Sequence, residues 1–187
     1  MVRIAVTGHR FIDDSIELTT SINKVLAQII QDHPGSDYQL LSALAEGSDQ
    51  LVARVAQKYH KIKLIVPLPL PEEMYLLDFE TEVGRKGFTQ LLKISDRVIT
   101  FTENSDHDSA YDYLGSFLID QCCVLIAIWN GEYSGKRGGT GEVVKKALHA
   151  GKLIYWLYSD NLRDGAGNSL RDRKKSGEIQ VLGKQAG

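Results

Sequence analysis

The 187 residues carry 22 Lys and Arg against 24 Asp and Glu, a formal net charge of −2, with 43% hydrophobic and 25% charged residues. This composition excludes wholesale disorder, and the charge balance gives no bulk attraction to nucleic acid or an anionic membrane, although a local basic pocket stays open. The length suits one domain and a polar tail, with a core large enough to need no disulfide or metal staple, and no cofactor or metal site is read from it.

Strand-like and helix-like stretches then alternate along the chain. Residues 2–7 form a short apolar run closed by Gly8. Residues 15–31 place Leu18, Ile22, Val25, Leu26, Ile29 and Ile30 on one helical face, and Pro34 with Gly35 stops that helix. Residues 38–44 read as a second strand. Ser48 is placed to cap the next helix, with Asp49 in its first turn and Leu51, Val52, Val55, Ala56 and Tyr59 on its buried side. A third strand is expected over 61–66, broken by Pro67, Pro69 and Pro71, and one or two helices over 72–93. A fourth strand (97–102), a polar loop (103–109), a helix (110–120), a fifth strand (122–129), a helix (143–150) and a sixth strand (153–158) follow.

Runs that are apolar on both faces suit strands covered by helices on each side. The pattern therefore predicts a doubly wound α/β domain with a mainly parallel sheet of about six strands, spanning residues 1–158. Residues 159–187 are rich in Gly, Asn, Asp, Arg and Lys, with apolar residues clustered only at Ile179, Val181 and Leu182. They are expected to form a flexible tail or the start of a further segment. The chain opens directly into a strand, without the pattern of a secretory leader, and no apolar run approaches the ~20 residues that span a bilayer. A cytoplasmic location is expected. Cys122 and Cys123 are adjacent in a strand, so they face opposite ways; both read as buried filler.

Open parallel sheets hold ligands beyond the carboxyl ends of their strands. Those ends gather polar residues and glycines here: Thr7, Gly8, His9 and Arg10; Ala45, Glu46, Gly47 and Ser48; then Asn130 and the run Gly135, Lys136, Arg137, Gly138, Gly139, Thr140, Gly141 and Glu142. Strand, glycine loop and helix start in that order bring unhindered amides and a positive helix end onto one spot, which suits a phosphate. The same glycines also suit a plain strand-to-helix turn. Arg10 offers a fork for phosphate or carboxylate, or is a solvated surface arginine. His9 is a donor or acid–base group, or packs beside the turn. Glu46 and Glu142 complement helix starts, or reach a ribose or act as acid–base groups. Tyr111 and Trp129 stack on a base or simply pack. Neither the dinucleotide fingerprint nor a P-loop is present, which disfavours NAD binding and ATP hydrolysis in their standard modes.

Three segments together resemble the SLOG superfamily of Rossmann-like domains: Val6-Thr7-Gly8-His9-Arg10, Ser42-Ala43-Leu44-Ala45-Glu46-Gly47-Ser48-Asp49, and Ala127-Ile128-Trp129-Asn130-Gly131 continued by Gly138-Gly139-Thr140-Gly141-Glu142-Val143-Val144. That superfamily groups the "lonely guy" nucleotide phosphoribohydrolases with the DNA-processing protein A fold and bacterial nucleotide sensors. The middle segment is similar to Ser-Gly-Leu-Ala-Arg-Gly-Ile-Asp of DNA-processing protein A. The last resembles the glycine motif of the superfamily, and the likeness runs over roughly residues 2–158.

The departures decide what the resemblance implies. The phosphoribohydrolases carry Pro-Gly-Gly-x-Gly-Thr-x-x-Glu with a catalytic final glutamate; here Glu142 falls at the threonine position and Lys145 at the glutamate. Their arginine at the start of the preceding helix is missing from Ala110-Tyr111-Asp112-Tyr113. The resemblance therefore implies the sensor branch, binding a nucleotide or nucleotide-derived small molecule. Its phosphate would lie on the 138–141 amides, aided by Arg10 and the amides around Gly8 and Gly47, with Glu142 or Glu46 at the ribose. The alternative is a phosphoribohydrolase cleaving nucleoside 5′-monophosphates to free base and ribose 5-phosphate, with Glu142 or Glu46 standing in as acid. Single-stranded DNA binding is opposed by the net charge and by a glutamate where DNA-processing protein A shows arginine. A homo-oligomer pairing through helices is compatible with the resemblance.

Overall fold

A strand that is apolar at every position has to be covered on both faces, and the chain satisfies this at β5 (Val124–Trp129), where every residue is buried. The computed structural model describes residues 1–101, 106–133, 135, 137–163 and 175–183. Around β5 lie β1 (Val2–Gly8), β2 (Tyr38–Leu41), β3 (Ile62–Leu68), β4 (Arg97–Thr100), β6 (Leu153–Tyr158) and β7 (Ile179–Leu182). They are joined by α1 (Ile16–Asp32), α2 (Ser48–Ala56), α3 (Glu72–Leu76), α4 (Glu82–Lys93), α5 (His107–Gln121) and α6 (Thr140–His149). One seven-stranded sheet results, in the order β4-β3-β2-β1-β5-β6-β7. Its neighbours run parallel except at the β6–β7 edge.

The doubly wound architecture is as the alternating pattern predicts. Helices α1, α2 and α4 pack in sequence on one another, while α5 packs on α6 and both reach β1. Right-handed crossovers place these two groups on opposite faces. The apolar stripe of α1 delivers Leu18, Ile22, Val25, Leu26 and Ile29 to the core, and Ser15 caps it by accepting from the Leu18 amide. Each such side chain, fully buried, contributes about 1.5–3 kcal/mol of transfer free energy. The winding reverses between β1 and β5, paired through Gly8 and Ile128 at their carboxyl ends. That reversal opens a crevice.

Several boundaries differ from the sequence reading for identifiable reasons. The sheet gains β7 because Ile179 and its neighbours pair antiparallel with β6, drawing part of the polar segment into the fold. Strand β3 runs through Pro67 rather than breaking there. Pairing of β2 with β3 ends at Leu41 and Ile65, so Pro67 needs a strand partner only on the β4 side. Helix α5 starts at His107, capped by Asp106, inside the expected polar loop. Helix α6 starts one turn early, at Thr140 within the glycine run. Cys122 is buried, and burial pushes its thiol up to about 11, but Cys123 is exposed rather than buried. Neither lies in the strand expected from residue 122: Cys122 is the C-cap of α5, and β5 begins after Cys123, at Val124. Lys136 and residues 102–105, 164–174 and 184–187 lie outside the described residues.

Candidate functional site

Two helices, α2 and α6, begin at the crevice, and their first turns are treated oppositely. At α2 the chain seals its own helix start. The His9 carbonyl accepts from the Ser48 amide at 3.1 Å and the Ser48 hydroxyl at 2.8 Å. Gly47, the N-cap, has φ 76°, and a Cβ there would sit 2.2 Å from the Arg10 carbonyl oxygen. A Cβ on Gly8 would lie 2.4 Å from Ser48 Oγ. These glycines serve close packing of the β1 loop on α2. Of the amides around Gly8 and Gly47, expected to assist a phosphate, that of Ser48 is spent on His9 and that of His9 on Ile128. Ser48 is the first helical residue rather than the cap. The His9 ring also stitches backbone, with Nε2 accepting from the Asn130 amide at 3.2 Å.

At α6 the start is open. Gly139 is the N-cap, and no side chain caps it. The first amides of a helix have no intrahelical partner, and Arg137, Gly138, Gly139, Thr140 and Gly141 all line the crevice cavity. Gly138 has φ 70°, and a Cβ there would come within 2.9 Å of Tyr111, so the bend is pressed against α5 and only glycine fits. Arg137 stands at its side, 3.6 Å from Asp112, whose other oxygen accepts from Lys146 and is held below the ordinary carboxylate range by that bond. Trp129 is buried; its indole donates to Glu132 O and meets Tyr133 edge-on.

The cavity, about 570 Å³, continues past β1 to the loops after β2 and β3. Arg10 enters it but is held in place. One guanidinium nitrogen donates to Asp78 O at 2.9 Å, the other to the Tyr111 hydroxyl at 3.1 Å, and the group lies over the Tyr111 ring. Tyr111 donates in turn to Asp78 Oδ2 at 2.6 Å, which His107 also meets at 2.8 Å. Tyr111 is thus fixed by both its hydroxyl and its ring. Asp49, read from the sequence only as complementing a helix dipole, lines the cavity with a carboxyl that burial pushes up to about 7, opposed by the Ala45 amide and the Ser42 hydroxyl.

Neither glutamate singled out from the sequence lines this cavity. Glu46 is buried and accepts from the Glu80 amide, the Thr81 amide and the Thr81 hydroxyl, clasping the start of α4. Gly84 on α4 leaves room for it, since a Cβ would lie 2.2 Å from Glu46 Oε1. Glu142, in the first turn of α6, faces a shallow groove shared with α5. The sequence reading therefore brings Gly8, His9, Arg10, Tyr111, Gly138, Gly139, Thr140 and Gly141 to the cavity, and leaves Glu46, Gly47, Ser48 and Glu142 off its lining. It missed Tyr75, Asp78 and His107. Their signal was weak, because they come from the stretch after the proline run and from an expected loop.

Gly47→Ala is expected to destabilise the protein by about 2–4 kcal/mol, combining left-handed strain with overpacking against Arg10. A urea midpoint unchanged from the parent would sink this assignment. Asp49 holds its proton more tightly when folded than its ordinary value of 3.8 allows. Its contribution therefore favours the fold below pH 4 and is lost as pH rises through about 7. Urea unfolding at a series of pH values is expected to show Asp49→Asn gaining on the parent across that window, by up to about 1.4 kcal/mol per pH unit. A constant difference would refute the buried, proton-holding carboxyl.

No protein-family model matches the chain, and no curated protein matches it. The solved structures similar to it include the following two. The X-ray structure of TM1055, a structural-genomics target, is 13% identical with a TM-score of 0.48, over 81% of this chain and 71% of that one. The Moco carrier protein from Chlamydomonas reinhardtii is 18% identical with a TM-score of 0.46, over 83% of this chain and 75% of that one.

Proposed function

We propose that the crevice binds a nucleotide or nucleotide-derived small molecule, with a phosphate on the first amides of α6. The observation that carries this reading is the uncapped start of α6 opening into the cavity at the sheet's reversal point. A helix end there offers several aligned N–H donors and a partial positive charge. Arg137, paired with Asp112 and 61% exposed, adds positive charge at the rim. The cavity volume falls in the range of small-molecule sites, and its mixed aromatic and polar lining suits a ligand with an anionic end and a flat end. The resemblance of the 138–144 stretch to the SLOG glycine motif agrees.

Binding and sensing are favoured over hydrolysis. The hydrolytic alternative relied on Glu142 or Glu46, and the first faces away while the second is consumed by α4. Among the described residues, no helix is long and apolar enough to cross a membrane, and no cluster of candidate metal ligands occurs.

Isothermal titration against mononucleotides, cyclic nucleotides and ADP-ribose is expected to find at least one ligand; no heat from any of them would defeat the reading. Gly139 has φ −76° and ψ 165°, a conformation that valine accepts. Gly139→Val should therefore keep the fold by circular dichroism yet weaken binding at least tenfold, by placing a branched side chain over the amides. Chromatography of AMP, GMP or CMP incubated with the protein is expected to show no free base, and its release would restore the hydrolytic alternative.

A further inference from the structure

On its α2 and α3 side the cavity has a recess whose lining includes Asp49 of α2, Tyr75 of α3, and Ala43 and Ala45 after β2. Tyr75 is buried, and its hydroxyl is the one buried side-chain polar atom without a hydrogen-bond partner among the described residues. Native proteins retain few such groups, because a buried donor without an acceptor is costly. The ring is packed among aromatic neighbours. It is held edge-on by Phe79 at 5.2 Å and Phe88 at 5.6 Å.

The hydroxyl lies within electrostatic reach of Tyr111, Asp49, Arg10 and Asp78, all of which line the cavity. Three of these are already engaged with one another. Arg10 and Tyr111 bond each other, Tyr111 bonds Asp78, and Arg10 bonds the Asp78 carbonyl. Asp49, by contrast, has no bond to any of the three; it accepts from the Ser42 hydroxyl, at 3.3 Å, and from the Ala45 and Ala43 amides. Between Ala43 and Ala45, which line the cavity, buried Leu44 has φ 59°, a conformation that a bulky residue adopts rarely and that strained functional loops retain.

We propose that this recess is the subsite for the nucleoside end of the ligand, where the Tyr75 hydroxyl and the Asp49 carboxyl take up a hydrogen-bonding edge of sugar or base. This rests on the reading of α6 as the phosphate end. A ligand edge supplies the partner that the free protein withholds from Tyr75. Asp49, which exchanges its proton near neutrality, can accept from that edge or donate to it.

The test compares the parent with Tyr75→Phe and Asp49→Asn by titration with AMP, GMP, CMP and ribose 5-phosphate, alongside thermal melts of the free proteins. Free Tyr75→Phe is expected to melt at or above the parent temperature, because an unpartnered hydroxyl has been removed. Its affinity for the nucleotide should fall about fivefold or more, and that of Asp49→Asn about tenfold. A loss that persists with ribose 5-phosphate assigns the recess to the sugar; one confined to whole nucleotides assigns it to the base. Unchanged nucleotide affinity in either variant overturns the subsite while leaving the phosphate site standing. A lower melting temperature for free Tyr75→Phe also overturns it, since the hydroxyl would then have a structural partner. Absence of nucleotide binding by the parent overturns both readings.

Discussion

The rim of the sheet is organised by a single residue, His9, which ties three elements together. Its carbonyl accepts twice from Ser48 at the start of α2, its amide donates to Ile128, and its ring accepts from Asn130. These contacts fix the ends of β1, β5 and α2 relative to each other where the winding reverses. They also close one helix start with the protein's own carbonyl, so the two helix ends at the crevice differ in chemistry although both are rich in glycine. Glycine here has two uses that a sequence cannot separate. In one it permits backbone to touch backbone, and in the other it leaves a helix start without a side-chain cap.

A similar division runs through the charged groups. Arg10, Tyr111, Asp78 and His107 form a connected network whose members hold each other in fixed positions. In a medium of reduced polarity such a network is rigid when its members are satisfied. The network therefore shapes the crevice wall more than it offers unspent charge. At its two ends lie the uncapped start of α6, beside Arg137 paired with Asp112, and the unpartnered Tyr75 hydroxyl, near Asp49. A molecule with an anionic terminus and a polar ring at a distance from it matches that distribution.

The architecture was legible in the sequence because every crossover repeats one signal, an apolar run followed by a periodic helix. Leu18 to Ile29 in α1 and the unbroken run of β5 specify their elements almost without context. Boundaries were less legible where tertiary contact overrides local preference. Pro67 is kept in a strand because β2 has already ended beside it, and α4 tolerates Gly84 and Gly87 because Glu46 and Gln50 occupy the space a side chain would need. The glycine motif lies on the lining of the crevice cavity. It could not tell which carboxylates enter it, because Glu46 and Asp49 lie three residues apart at one helix start and end up on opposite assignments, one clasping α4 and the other facing the cavity. That outcome depends on what α3 and α4 bring alongside.

The antiparallel strand β7 carries a further consequence for the borders of the folding unit. Strand β6 is apolar along most of its length, and its outer rim of amides and carbonyls is covered by Ile179–Leu182, recruited from beyond a stretch of polar chain. A shortened chain ending at residue 158 would leave that rim bare on one of the stickiest segments of the molecule, an invitation to sheet-to-sheet adhesion between copies. Strand β7 is thus a guard rail for that edge, and trimming it for convenience would trade a tidy boundary for self-association visible by sedimentation.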